Sequence, residues 1–289
     1  MPIATLPEER VPVSAVIPCY RCGDTIPRAV RSIAAQTAPP REIILVDDCS
    51  ADATPETLRE VASEYPPGWV KVLELTANAG AGQARNAGWE AATQPYVAFL
   101  DADDTWHARK LEIQYGWMQV HPEAQLTGHP TTWVRDGKIP TAKPDSARIT
   151  RIDSRRLLLG NCFSLRSVMV RREFPIRFHR EKRYMEDYWW VLQAAFSGYD
   201  IYRIEFPLAY MFKAPYGVGG LSGRQWEMEK SELDNYWGLK REGKLGLLPA
   251  LALTIYSLLK FAKRVAVAAC LRRSNGRAYQ AGERPGSQR

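Results

Sequence analysis

Short apolar runs alternate with helical stretches through the first hundred residues. Val13 to Pro18 is a β-branched run and predicts a strand. Residues 24–36 place Ile26, Val30 and Ile33 at helical spacing, with Asp24 as the expected cap and Pro27 in the first turn. Glu42 to Val46 predicts a second strand, closed by Asp47-Asp48, and Thr54-Pro55-Glu56 opens a helix through Glu64. Val70 to Leu75 predicts a third strand, Gly80 to Ala92 an alanine-rich helix, and Tyr96 to Leu100 a fourth strand. This alternation implies βαβ units, a largely parallel sheet and an α/β fold. Beyond Asp104 the rhythm breaks. The pattern there predicts a helix from Trp106 to His121, a hairpin over Thr131 to Ile139 around Asp136-Gly137, and a strand from Ser164 to Val170. A helix from Asp187 to Ser197 and one or two short strands in Ile201 to Phe212 follow.

The tail has a different pattern. Leu247, Leu251, Ile255, Leu258, Ala262, Val265 and Ala269 recur at three- and four-residue steps, which marks one helix face. Lys260, Lys263 and Arg264 fall largely off that stripe and interrupt the apolar stretch too early for a membrane span, which needs about 20 apolar residues. Two readings remain open: a basic amphipathic helix lying on an anionic membrane surface, or a helix docked on the rest of the protein or on a second subunit. Residues 276–289 are expected to be disordered.

Charge divides the chain in the same place. Of 289 residues, 39 are Lys or Arg and 32 are Asp or Glu, a net +7. Residues 240–289 hold eleven of the bases against two acids, +9, which leaves −2 for residues 1–239. A nucleic-acid-binding core would carry its basic patch on the fold itself, so that class is disfavoured. Cys19, Cys22, Cys49, Cys162 and Cys270 are scattered, and Met1 to Arg10 lacks an apolar leader core, so a cytoplasmic setting is expected. Cys19-x-x-Cys22 has no second pair or histidines at zinc spacing.

The fourth apolar run ends in Asp101, Asp103 and Asp104. Acids at such an exit sit where open α/β sheets bind ligands. Like charges so close need a cation, and a hard divalent ion takes carboxylates and completes its shell with substrate phosphates. The alternative is a turn of helix caps leading into the predicted Trp106 helix. Pro18-Cys19-Tyr20 and Asp47-Asp48 end the first two strands, so parallel pairing brings all three segments to one sheet edge. An aromatic ring, an acceptor acid and an acid pair suit a nucleoside diphosphate. No G-x-G-x-x-G follows the first strand, and no G-x-x-x-x-G-K-[ST] is present.

Five segments in order carry a resemblance: Val13 to Tyr20, Glu42 to Ser50, Ala84-Arg85-Asn86-Ala87-Gly88, Phe99 to Asp104, and Glu186-Asp187. Together they resemble the family 2 inverting glycosyltransferases of GT-A fold, over roughly residues 12–222. The resemblance implies a Rossmann-like, mostly parallel nucleotide-binding sheet with an acceptor-side α+β half. The implied domains are residues 1–235, with halves about 12–105 and 106–222, then a basic helical extension over 236–275 and the tail 276–289. Pro18 and Tyr20 would line the base pocket, Asp48 (or Asp47) would accept from the base, and Arg85 would lie near the nucleotide. Asp101 would face ribose and metal, and Asp103 would bind the Mn2+ or Mg2+ ion. Asp187 would be the general base.

Two departures stand out. Where the family often has Arg-x-His after the last core strand, this chain has Tyr210-Met211-Phe212-Lys213, and Lys213 would supply positive charge without ligating metal. The Gln-x-x-Arg-Trp of processive synthases is missing, so transfer of a single sugar is expected. Residues 219–222, Gly-Gly-Leu-Ser, suggest a lid or a plain turn. The expected partners are a nucleotide-sugar donor, UDP-linked by the resemblance, a lipid-linked glycan acceptor and the cytoplasmic membrane face. The rival functions are a noncatalytic nucleotide-sugar-binding or membrane scaffold protein, and a sugar nucleotidyltransferase. The latter lacks its glycine-rich loop here.

Overall fold

The computed structural model describes residues 9–134, 139, 148–213 and 224–282, with side chains to residue 265 in the last segment. Two compact units are distinguished, 1–224 and 225–289.

In the first unit, β1 (Val11–Cys19) and β2 (Pro40–Asp47) are buried along most of their length, as continuous β-branched runs require in a sheet covered on both faces. Helices α1 (Ile26–Ala34), α2 (Thr54–Ser63) and α3 (Ala81–Ala91) alternate with β3 (Val70–Glu74) and β4 (Tyr96–Phe99). β3, β2, β1 and β4 lie in that order, all parallel. The sheet continues through β9 (Met169–Arg171), β6 (Leu126–Gly128), β10 (Ile201–Ile204) and β8 (Ile149–Arg151), with β9 antiparallel to both β4 and β6. A second sheet of three strands joins β5 (Thr105–Trp106), β11 (Ala209–Met211) and β7 (Thr131–Trp133).

The predicted α/β class and the first four strands are therefore present. Several local expectations are corrected. Asp24 does not cap α1: the cap position is Thr25, without a side-chain bond. The helix expected from Trp106 begins only at Lys110, as α4 (Lys110–Val120). Thr105 and Trp106 instead pair with β11, and Trp106 Nε1 donates to the Arg166 carbonyl at 2.8 Å. Tertiary pairing has overridden a helical pattern. β7 pairs with β11 in parallel, not in a hairpin, and the Asp136-Gly137 turn lies outside the described residues. The strand expected from Ser164 starts with a 3₁₀ turn at Leu165–Ser167, before β9.

After the one-turn helix α5 (Ser154–Leu157), helix α6 (Glu186–Phe196) is anchored against the sheet by aromatic rings. Trp89, on α3, meets Trp190, on α6, with centroids 5.9 Å apart, and Phe178 stacks on Trp190 at 4.9 Å. Phe99 at the end of β4 touches both Trp89 (5.5 Å) and Phe178 (5.7 Å). Arg85 precedes Trp89 by one helical turn, and Glu186 precedes Trp190 by one turn. The ring contacts thus place the guanidinium beside the carboxylate.

The second unit holds α7 (Gln225–Arg241) and α8 (Leu247–Gly282). Helix therefore continues past residue 275 into the segment expected to be disordered, and residues 283–289 are outside the described set. Charge decides which face of α8 is covered. Glu229 and Glu232 of α7 are buried, and Arg264 and Lys260 pair with them at 2.6 and 2.9 Å. Buried carboxylates need cations, so two of the three bases that lie off the stripe are turned inward. Leu247, Leu251, Ile255, Leu258 and Val265 of the stripe are exposed instead, alongside Leu248 and Leu259. Among the described residues, no helix is long and apolar enough to cross a membrane.

Candidate active site

The strand order reverses direction between β1 and β4, and the loops leaving β1, β2 and β4 open there onto one cleft of about 920 Å³. Pro18, Tyr20, Asp48, Arg85, Asp101, Asp103 and Lys213 all line it. Asp187 is not in the lining. It stands behind Arg85 at the start of α6.

At one end Tyr20 is 47% exposed, and the Arg21 guanidinium lies 5.3 Å from its ring centre. An exposed ring over a cleft is a stacking surface. Asp48 behaves differently from a free base-reading acid. Its two oxygens accept from the Ala79 and Gly80 amides at 2.7 and 2.8 Å. Asn78 Nδ2 donates to the Asp48 carbonyl, and Gly80 turns the chain into α3 at φ +89°, where a side chain would be strained. Asp48 therefore builds the 78–80 loop that edges the cleft. Neighbouring Asp47 takes the Ser50 amide on Oδ2, while its buried Oδ1 has no hydrogen-bond partner.

At the exit of β4 each carboxylate has a cation. Arg85 binds Asp101 Oδ1 at 2.7 Å, and Arg166 binds Asp101 Oδ2 at 3.2 Å and Asp104 Oδ2 at 2.8 Å. Lys213 Nζ meets Asp103 Oδ2 at 2.7 Å. Burial pushes Asp101 up, but Arg166 and Arg85 outweigh it and hold the carboxyl below its usual range. Asp104 goes the other way: burial, only partly countered by Arg166, lifts it to about 8. None of the three acids caps α4, whose N-cap position is Arg109. Arg166 was not among the residues expected here. It sits on the 3₁₀ turn some 60 positions downstream, and nothing local in the sequence singles it out.

The fit to a divalent ion rests on this donor set. No group of three His, Cys, Asp or Glu side chains forms a metal cage among the described residues. Both Asp101 oxygens are taken by guanidiniums that are 7% and 19% exposed. Asp103 is the carboxylate that faces the cleft with only an exposed ammonium to displace. One carboxylate plus substrate phosphates is a sufficient set for a hard ion of the Mg2+ type. The residues fit such an ion, with Asp103 as the carboxylate most open to it.

Across the cleft floor Arg85 also reaches Glu186 Oε1 at 3.2 Å, so one buried guanidinium joins the β4 acids to the α6 acids. Burial and then the charge of Asp187 raise Glu186 to about 7, against the pull of Arg85. Burial likewise raises Asp187 above its ordinary value, while its bond from the Tyr188 amide and the charge of Arg85 oppose the rise. Asp187 Oδ2 accepts from Asn161 Nδ2 at 3.1 Å, and Asn161 Oδ1 accepts from the Phe163 amide. Asn161 is a second residue that sequence reasoning did not find. An elevated carboxylate oriented by an amide has the character of a general base.

Known proteins supply independent comparisons. The sequence model of Glycosyl transferase family 2 matches residues 14–172. The amylovoran biosynthesis glycosyltransferase AmsB of Erwinia amylovora is 31% identical over 212 residues, 68% of each chain. The putative teichuronic acid biosynthesis glycosyltransferase TuaG of Bacillus subtilis is 42% identical over 106 residues, 37% of this chain and 41% of TuaG. In Escherichia coli, the UDP-Glc:alpha-D-GlcNAc-diphosphoundecaprenol beta-1,3-glucosyltransferase WfgD is 36% identical over 106 residues, 37% of this chain and 40% of WfgD. The match thus spans about two-fifths of TuaG and WfgD. Among solved structures, the mannosyltransferase PcManGT of Pyrobaculum calidifontis, in complex with GDP-Man and Mn2+, superposes with a TM-score of 0.61. The pair is 21% identical over 93% of this chain and 82% of PcManGT, a likeness of fold.

Proposed function

We infer the reaction from one premise: this chain belongs to glycosyl transferase family 2. It moves one sugar, with inversion, from a nucleoside-diphosphate sugar to a hydroxyl of a growing polysaccharide. The observation that carries this reading is the single cleft lined by Tyr20, Arg85, Asp101, Asp103 and Lys213, with Glu186-Asp187 joined to it through Arg85.

In this reading Tyr20 stacks on the base, with Pro18 beside it. Asp48, which lines the cleft and holds the 78–80 loop, edges the base pocket. Lys213 and Arg85 face the diphosphate. Asp103 holds an Mn2+ or Mg2+ ion, which when bound neutralises the departing diphosphate as a Lewis acid. Asp187, held by Asn161, takes the proton of the acceptor hydroxyl as that oxygen attacks the anomeric carbon opposite the leaving group. UDP is favoured as the carrier because WfgD is named for UDP-Glc.

WfgD also takes an acceptor on diphosphoundecaprenol, which supports a lipid-linked glycan here. A lipid surface would then be the occupant of the exposed Leu248, Leu251, Ile255 and Leu259 face of α8, at the cytoplasmic side of the membrane. Apolar contact would contribute to that binding alongside the bases not engaged elsewhere, since Lys260 and Arg264 are held by Glu232 and Glu229. Sedimentation with phosphatidylglycerol vesicles checks this. A Leu248→Glu/Leu259→Glu double variant should stay in the supernatant, and undiminished binding would remove the lipid reading.

Calorimetric titration with UDP, GDP, CDP and dTDP, each with Mn2+ and again with EDTA, tests the donor site. One nucleotide should bind in a metal-dependent way that Asp103→Ala abolishes, while Asp187→Asn should keep that affinity and lose about 10²–10⁴-fold in turnover. If no nucleotide binds folded protein, the enzyme reading falls and a scaffold role takes its place.

A further inference from the structure

The cation on Asp103 differs in kind from those on Asp101. Asp101 is gripped on both oxygens by Arg85 and Arg166, side chains sunk into the fold at 7% and 19% exposure. Lys213 holds Asp103 from a side chain 68% exposed. The backbone around this pair is fixed independently: Arg28 donates to the Asp103 carbonyl at 2.6 Å, and its guanidinium lies 3.9 Å from the centre of the Phe212 ring, next to Lys213. The ammonium can therefore leave Asp103 without unburying anything or moving the chain.

We propose that Lys213 occupies the cation seat of Asp103 in the free protein, and that a nucleoside diphosphate draws the ammonium onto its phosphates and so opens Asp103 to the divalent ion. This rests on the donor-site reading above. An ammonium 2.7 Å from the carboxylate oxygen fills the position a metal needs and repels a second positive charge there. It cannot itself ligate metal, having three donors and no lone pair. Phosphate oxygens offer it a stronger charge-assisted partner than one carboxylate oxygen does. Ion and nucleotide then bind as a coupled pair, and by linkage each tightens the other by the same factor. Metal bound without donor, which would occupy the site unproductively, is disfavoured by the protein's own side chain.

The test is Mn2+ binding followed by the EPR signal of the free ion, with and without UDP, on the full chain and on Lys213→Met. For the unsubstituted chain, Mn2+ alone should bind weakly and UDP should tighten it at least about tenfold. Lys213→Met should bind Mn2+ alone about fivefold or more tighter, and the gain brought by UDP should shrink. Asp103→Asn should lose Mn2+ binding in both backgrounds. Equal Mn2+ affinity of the two chains without nucleotide overturns the proposal, as does no detectable Mn2+ binding by Lys213→Met up to millimolar ion. Retention of the ion by Asp103→Asn also overturns it. Failure of UDP to bind either chain would instead strike the uridine donor reading, while the nucleotide-free titration still decides the role of Lys213.

Discussion

Glu186→Gln probes the balance at the floor of the cleft. Glu186 is 12% exposed and touches Arg85 at 3.2 Å, which favours its charged form. Burial and the adjacent Asp187 oppose that charge and win, raising the carboxyl from an ordinary 4.5 to about 7. The sign follows from linkage. An acid with a raised folded value stabilises the fold fully below its unfolded value, and loses that contribution as pH rises through the folded one. The window is therefore pH 4.5 to about 7, and the difference corresponds to about 3 kcal/mol. Glutamine keeps the shape and has no charge to lose. Urea unfolding of both chains between pH 4.5 and 8.5 should show a stability gap that moves in favour of Glu186→Gln by about 3 kcal/mol as pH rises. A flat gap, or one moving toward the unsubstituted chain at high pH, would mean that the Arg85 pair outweighs burial, and the reasoning would be refuted.

Lys110 is fully buried over the Trp106 ring, 4.0 Å from its centroid, and its Nζ has no hydrogen-bond partner. Burial depresses its pKa well below 10.5, so the stability of the unsubstituted chain should climb with pH up to that value. Lys110→Met should be more stable at pH 7 by about 1–4 kcal/mol and should lack the climb, as calorimetric or urea melts at pH 7 and 9.5 would register. Gly88 of α3 faces β1 and β2 so closely that an added Cβ would collide with Val16 Cγ1 and lie 3.0 Å from Val46 Cγ2. Gly88→Ala should therefore cost about 1–3 kcal/mol in urea unfolding, and a neutral result would mean α3 can lift off the sheet.

The first half of the fold was legible because its rules are local. β-branched runs of strand length, ending in acids or turn residues, identified β1 to β4, and parallel pairing then fixed which acids meet. The second half depends on partners distant in sequence. Thr105-Trp106 carries a helical pattern yet pairs with β11, and β7 finds its neighbour almost 80 positions downstream. In the site, the acids after β4 were readable from their crowding, and Arg85 through the family resemblance. Arg166 and Asn161 were not, because an arginine on a short turn and an asparagine in a loop carry no spacing signal. Asp48 was legible as a cleft residue, but not that its oxygens are taken by the 78–80 loop. The covered face of α8 stayed open because periodicity finds a stripe without saying which side is covered. Two buried glutamates on α7 decided that.

The ring cluster of Trp89, Phe99, Phe178 and Trp190 works as a gauge block. Packed aromatics do not compress, so the gap between the Arg85 guanidinium and the acids of α6 is a fixed length. Whatever binds in the cleft must come to those carboxylates, because they cannot come to it. Evolution or engineering that exchanges one sugar for another is thereby confined to the rim. The 78–80 loop at the cleft edge can vary, while the floor keeps the spacing of Arg85 and Glu186 constant.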